Sequence, residues 1–335
     1  MKGIARRIAG HLARGVAMIL VVATISFLVV RNIPGDPVQA QYEKLVSQGM
    51  SPDQAERATQ VLYGFMPKGS LWQQYTDYVS GLTHFDLGQS LSVPGTSVTS
   101  LLGAGLQWTV LPVLAGTLLS FLLGIMMGVY AAIRRTGKLG DALVISGSLL
   151  HGLPQYVMAL LLVAIFATLL PILPAGGPVD IVYEPGLNAG YLGSLAEHAT
   201  LPILTYALAS YGGWILAMKS SVVTVLGDDF ILAAELRGLK RSIVFRYVAR
   251  NAILPLFTIL ALSLGMLFGG SVFIERIFNY PGLGLLLLDS VTARDYALMG
   301  GAFLLITVAI IIANIVADLF YSVIDPRVRS GREAA

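Results

Sequence analysis

The chain has 335 residues, of which 56% are hydrophobic and 12% charged; a soluble domain carries about one-quarter charged residues, so the composition points to a bilayer as the solvent. A net charge of +3 and a pI near 9.0 raise the question of nucleic acid, but the basic residues fall in short segments beside apolar runs, which is the pattern of membrane topology. The absence of cysteine excludes disulfides, thiolate metal sites and cysteine nucleophiles.

A spanning helix needs about 20 mainly apolar residues, and six segments qualify: 13–31, 107–133, 142–172, 200–218, 252–274 and 296–321. The first has a basic lead of Lys2, Arg6 and Arg7 but runs into VVRNIPGDP with no small-residue cleavage pattern, so it reads as a retained anchor rather than a signal peptide. Sixteen Lys and Arg fall in segments 1–14, 134–141, 219–250 and 322–335, against six in 31–106, 171–199 and 275–295. Four of those six lie in the long 31–106 loop, which exceeds the length over which the bias is informative. Both termini are therefore expected in the cytoplasm.

The loop 31–106 should form a small extracytoplasmic cap with two short amphipathic helices. Ser51 before Pro52 and Asp53 offers one N-cap, and Ser70 offers another ahead of a segment in which Leu71, Tyr75, Tyr78 and Leu82 share a face. The loop 171–199 is turn-rich and is expected to carry no fold of its own. His11, His84, His151 and His198 are scattered without zinc-site spacing, and no nucleotide-binding P-loop occurs. No local Ser, His and Asp motif points to a hydrolase. GIMMG (Gly124 to Gly128) and GMLFG (Gly265 to Gly269) have the small-residue spacing of closely packed membrane helices, within the chain or between chains. Glu275, Asp289, Asp318 and Lys219 all map near span ends, which gives no support to a proton pathway. Pro112, Pro154, Pro202 and Pro255 interrupt or begin spans.

Residues 228–255, DDFILAAELRGLKRSIVFRYVARNAILP, hold eight charges between two charge-free spans. Asp228 or Asp229 can cap a helix starting at Phe230, Gly238 can end it, and Ser242 can cap a second helix with Ile243, Val244, Tyr247 and Val248 on one face. Three basic residues suffice for topology in the other internal loop, so the apolar Phe230, Ile231 and Leu232 suggest a docking site for a cytoplasmic partner.

Here the chain resembles a known family: the inner-membrane permease subunits of binding-protein-dependent ABC importers, in the dipeptide/oligopeptide branch. IPGDP, FDLGQSL, the 227–255 stretch, ERIFNYPGLG, RDYALMGG and DLFYSVIDPRVR occur in family order along nearly the whole chain. The resemblance implies an all-α integral membrane fold of six transmembrane helices, of the type I importer kind, with a small helical insertion after the first. It divides the chain into 1–30, a cap 31–106, a five-helix core 107–321 and a tail 322–335. It implies an inner-membrane transporter subunit, not an enzyme, that forms half of a path for di- or oligopeptides. Its partners would be a homologous second permease, two ATP-binding subunits that carry ATP and Mg2+, an extracytoplasmic solute-binding protein and membrane lipid, with no cofactor or metal of its own and no nucleic acid. The 227–255 stretch looks like the family's EAA loop, which assigns ATPase coupling to Asp229, Phe230, Ala233, Ala234, Glu235, Gly238, Leu239, Arg250, Asn251 and Pro255. It departs from the usual pattern at Leu232, Glu235, Leu236 and Tyr247. Glu275, Phe278, Tyr280, Pro281 and Gly282 are candidates for an external gate, and Tyr206, Tyr211 and Trp214 for the lining of the path. Nickel, glutathione or sugar permeases, or an ATP-independent channel or carrier, are the alternatives.

Overall fold

The computed structural model describes residues 2–32, 37–63, 70–90, 92–93, 95–133, 137–260, 263 and 272–324. Among them the regular structure is helical, apart from one isolated antiparallel bridge between Gln89 and Ser97. The helices are α1 (Lys2–Asn32), α2 (Pro37–Ser47), α3 (Pro52–Tyr63), α4 (Leu71–Thr83), α5 (Val98–Ile133), α6 (Lys138–His151) and α7 (Gln155–Leu162), which continues as a π-helix over Val163–Leu169. They are followed by α8 (Ala189–Leu226), α9 (Asp229–Leu236), α10 (Arg241–Ala252), α11 (254–260), α12 (Val272–Ile277), α13 (Leu283–Thr292) and α14 (Tyr296–Ile324). The GMLFG glycines, residues 33–36 of the IPGDP motif, 134–136 of the internal loop, and the tail beyond Ile324 lie outside the described residues.

The chain divides into two compact units, Met1–Thr109 with Pro281–Ile311, and Val110–Tyr280 with Ile312–Ala335. In the first, Phe27 of α1 is buried against Leu62, Tyr75, Tyr78 and Tyr296, with its ring edge-on to Tyr75 at 5.5 Å. The Thr24 and Tyr75 hydroxyls meet at 2.7 Å. Both expected caps form. The Gln54 amide donates to Ser51 Oγ, and Ser70 and Gln73 make a reciprocal capping box. The loop holds three helices rather than two: α2 precedes the expected pair. Burial holds the Tyr78 phenol up at about 12, with Tyr75 adding to the shift.

In the second unit α5 and α8 are apolar all round, the character of helices surrounded by lipid or by other helices. Among the described residues three helices, Val98–Ile133, Ala189–Leu226 and Arg241–Leu260 (α10 with α11), are long and apolar enough to cross a membrane, or four if α6 and α7 count as one broken span. That pair is bent by 103° at Gly152, Leu153 and Pro154, where proline supplies no amide donor and disfavours helix in the residue before it. The expected span 142–172 is thus a broken helix and not a straight one. A row of glycines brings α5 against α8. A Cβ on Gly116 would lie 2.5 Å from Tyr206 Cβ, on Gly124 2.3 Å from Trp214 Cβ, and on Gly128 2.7 Å from Met218 Cβ. The partner's number rises with the glycine's, so the two helices run parallel. The GIMMG pair therefore packs within the chain. Gly147 of α6 and Gly212 of α8 bring their backbones into contact in the same way.

Candidate functional site

The stretch 228–255 folds as helix, turn and helix. Asp228 occupies the N-cap position of α9 with extended backbone but makes no side-chain cap bond, and the Asp229 carboxylate lies in the first turn, where the helix dipole favours it. At the other end Gly238 has φ +72°. The Gly238 amide donates to Glu235 O and the Leu239 amide to Ala234 O, the two bonds of a Schellman stop that the left-handed region makes natural for glycine. The second helix starts one residue before the expected cap: Lys240 is the N-cap position of α10, it makes no side-chain bond, and Ser242 lies inside the helix.

On α9, Ile231 and Ala234 point inward and are buried. They join one apolar cluster with Met218, Val222 and Val225 of α8, Val244 and Val248 of α10, and Leu256 of α11. The cluster continues to Phe121 of α5, whose ring meets Trp214 edge-on at 5.0 Å. The Ser221 hydroxyl donates to Ala252 O at 2.7 Å, tying α8 to α10. The outer face presents Phe230, Leu232, Leu236 and Leu239, with Leu236 80% exposed. Asp229, Ala233, Glu235 and Arg250 are exposed too, Pro255 is exposed in α11, and the Asn251 side-chain Nδ2 donates back to Tyr247 O. Of the face expected on α10, Val244 and Val248 are buried, while Tyr247 is exposed.

The turn after α12 is built differently. Glu275, Phe278, Tyr280 and Gly282 are buried, and Pro281 is exposed. The Tyr280 amide closes back on Glu275 O at 2.8 Å, with Asn279 left-handed at φ +49°. Phe278 O accepts from the Gly177 amide at 2.7 Å, and a Cβ on Gly176 would sit 2.6 Å from that oxygen. His198 Nδ1 lies 3.2 Å from Gly176 O and 3.0 Å from Gly177 O; since both are acceptors, Nδ1 carries the proton. Burial, with Tyr191 adding to it, pushes the Tyr280 phenol up to about 12, so it stays a neutral hydroxyl at physiological pH.

Tyr206, Tyr211 and Trp214 are all buried in α8. Tyr206 and Trp214 lie against the α5 glycine row, the Tyr211 hydroxyl meets Met127 Sδ at 3.0 Å, and Trp214 also borders a cavity. A further buried centre passed unremarked in the sequence. Asp295 accepts from Ser90 Oγ (2.6 Å), Ser92 N (3.0 Å) and Ser92 Oγ (2.8 Å) through one oxygen, and from Leu298 N through the other. An aspartate three residues before Leu298 at the head of α14 is an N-cap signal, but nothing local announces the two serines. Among the described residues no group of three or more His, Cys, Asp or Glu is arranged to hold a metal ion.

The profile of the family described as binding-protein-dependent transport system inner membrane component matches residues 124–330. The chain is 30% identical to the dipeptide transport system permease protein DppB of Escherichia coli, over 92% of this chain and 94% of that one. It is 29% identical to the oligopeptide transport system permease protein AppB of Bacillus subtilis, over 93% and 96%. It is 30% identical to the glutathione transport system permease protein GsiC of Salmonella typhimurium, over 93% and 94%.

Proposed function

Because the chain belongs to the family of binding-protein-dependent transport system inner membrane components, and is thus a transporter subunit and not an enzyme, we propose that it forms half of the path of an ATP-driven peptide importer. It would pair with a homologous second permease, two ATP-binding subunits holding ATP and Mg2+, and an extracytoplasmic solute-binding protein. Dipeptides and oligopeptides are the cargo named for two of the relatives. The glutathione permease among them supports a second reading, a glutathione importer.

The observation that carries the reading is the two-sided α9. Its exposed side offers Phe230, Leu232 and Leu236 to a partner, with Leu239 just after the turn, while Ile231 and Ala234 lock it into the cluster that reaches Trp214 and Phe121 in the long helices. A push on such a helix is carried by packed side chains, because close-packed interiors transmit displacement. Asp229, Ala233, Glu235, Gly238, Arg250, Asn251 and Pro255 belong to the same coupling surface. The ATPases drive the cycle only if nucleotide binds the two permease states with different affinity. Glu275, Phe278, Tyr280, Pro281 and Gly282 would form the external gate, with Tyr206, Tyr211 and Trp214 along the path.

Six spans in the inner membrane with both termini cytoplasmic complete the proposal, with the division 1–30, 31–106, 107–321 and 322–335. Two features support it: the Lys and Arg bias, and the parallel run of α5 and α8. If α6 and α7 re-entered and left on the same side, α8 would start from the cytoplasm and run against α5, so the parallel run favours a pair that crosses. The irregular 170–188 cannot cross in its place, since its backbone groups would be unpaired in lipid.

The test is co-expression with the second permease, ATP-binding and solute-binding subunits, followed by co-purification and ATPase assay. Wild type should bring down the ATP-binding subunits and hydrolyse ATP. Gly238→Trp and Asp229→Lys should lose the ATPases or uncouple hydrolysis from uptake. A chain that purifies free of nucleotide-binding partners and transports alone in liposomes would overturn the reading.

A further inference from the structure

A cavity of about 490 Å³ opens in the second unit among α5, the α6–α7 break, α8, Ile259 and Ser263, a size typical of small-molecule sites, which run roughly 300–1,000 Å³. Its polar lining comes from Thr117, His151, Gln155, Ser210 and Ser263, against a wall that includes Trp214.

Three observations bear on its use. The break in the helix opens onto it: His151 is the last residue of α6 and Gln155 the first of α7, and both line the cavity. Non-helical backbone at membrane depth is tolerated where it is buried in protein or borders a water-filled space. Thr117 lines the cavity and is 2% exposed, and its hydroxyl oxygen is buried without a hydrogen-bond partner, a costly state that a rotation of the side chain toward a group in the cavity would relieve. Finally, the described lining contains no Asp, Glu, Lys or Arg. Hydroxyls, a carboxamide and the His151 imidazole on apolar walls supply both donors and acceptors, which suits groups that do both, as the amides of a peptide main chain do. A free cation or anion would need charged ligands.

We propose that this cavity is a contact station for the main chain of a peptide in transit. The Thr117 hydroxyl donates to a peptide carbonyl, the Gln155 carboxamide takes either role, and Trp214 forms the apolar wall. The proposal rests on the importer reading above and adds to it residues that hold the cargo inside the membrane.

This chain has no cysteine, so a single cysteine in it can be followed against the same importer built with the unmodified chain. In the importer reconstituted with its second permease, ATP-binding and solute-binding subunits, Ser210→Cys should react with a charged methanethiosulfonate reagent in at least one nucleotide state. Saturating dipeptide should slow that reaction. Thr117→Val and Gln155→Leu should raise KM for dipeptide uptake about three- to tenfold, the loss of one hydrogen bond, with assembly and ATP hydrolysis kept. If Ser210→Cys reacts in the isolated chain but in no state of the importer, or reacts without regard to peptide, or if both polar variants transport like wild type, the cavity is a packing surface. The importer reading then stands and this proposal falls. If wild type shows no ATP-dependent dipeptide uptake, the reading itself fails and takes the proposal with it.

Discussion

Asp295 shows how much one side chain can hold. It is fully buried and serves four donors, three of them on Ser90 and Ser92, so it pins the loop before α5 to the start of α14. Asp295→Ala removes the acceptor and strands those donors, which should cost about 2–3 kcal/mol. Asp141→Ala, at an exposed first-turn position of α6, should cost no more than about 1 kcal/mol. Thermal unfolding of the two variants in detergent checks the contrast; equal midpoints would mean that the serines are satisfied otherwise. Residue-scale features were unevenly legible in the sequence. Ser51, Ser70 and Gly238 were readable because a cap is a local interaction, with donor and acceptor within a few residues. Ser242 misled because a cap-forming residue type marks only where a helix can start, and α10 starts after Lys240 with no side-chain cap at all.

Among elements, the α5–α8 contact is the one set by a row of glycines. Its glycine row lets two helices approach until Gly124 faces the Trp214 Cβ. Gly124→Ala should therefore overpack the contact and destabilise by about 1–3 kcal/mol. Gly103→Ala, on the same helix but with no atom within 4 Å of the added carbon, should stabilise by about 0.5–1 kcal/mol, the difference in helix propensity. Unfolding midpoints of opposite sign are the expected result, and a neutral Gly124→Ala would show that the helices can separate at little cost. The spacing of Gly124 and Gly128 was visible in the sequence, but its partner was not. A small-residue pair says only that some backbone can come close.

At the scale of the molecule, the proposed crossing of α6 and α7 has a direct check. Single cysteines can be placed at Ile181, which is almost wholly exposed, and at Glu235 on α9. An impermeant thiol reagent should reach Ile181→Cys only from outside the cell and Glu235→Cys only from the cytoplasmic side. Labelling of both from one side would remove the six-span topology. The sequence by itself determined the solvent, the helical class and the family. Apolar length, Lys and Arg bias and ordered motifs are all read along the chain, and each depends on neighbouring residues or on summed composition. Tertiary structure alone decided the parallel run of α5 and α8, the partners of Asp295 some 205 residues away, and the meeting of Thr117 with His151, Gln155 and Ser210 around one cavity. Those depend on which distant surfaces pack together, and in long helices such as α5 and α8 that are apolar all round, hydrophobic pattern does not say which face meets which.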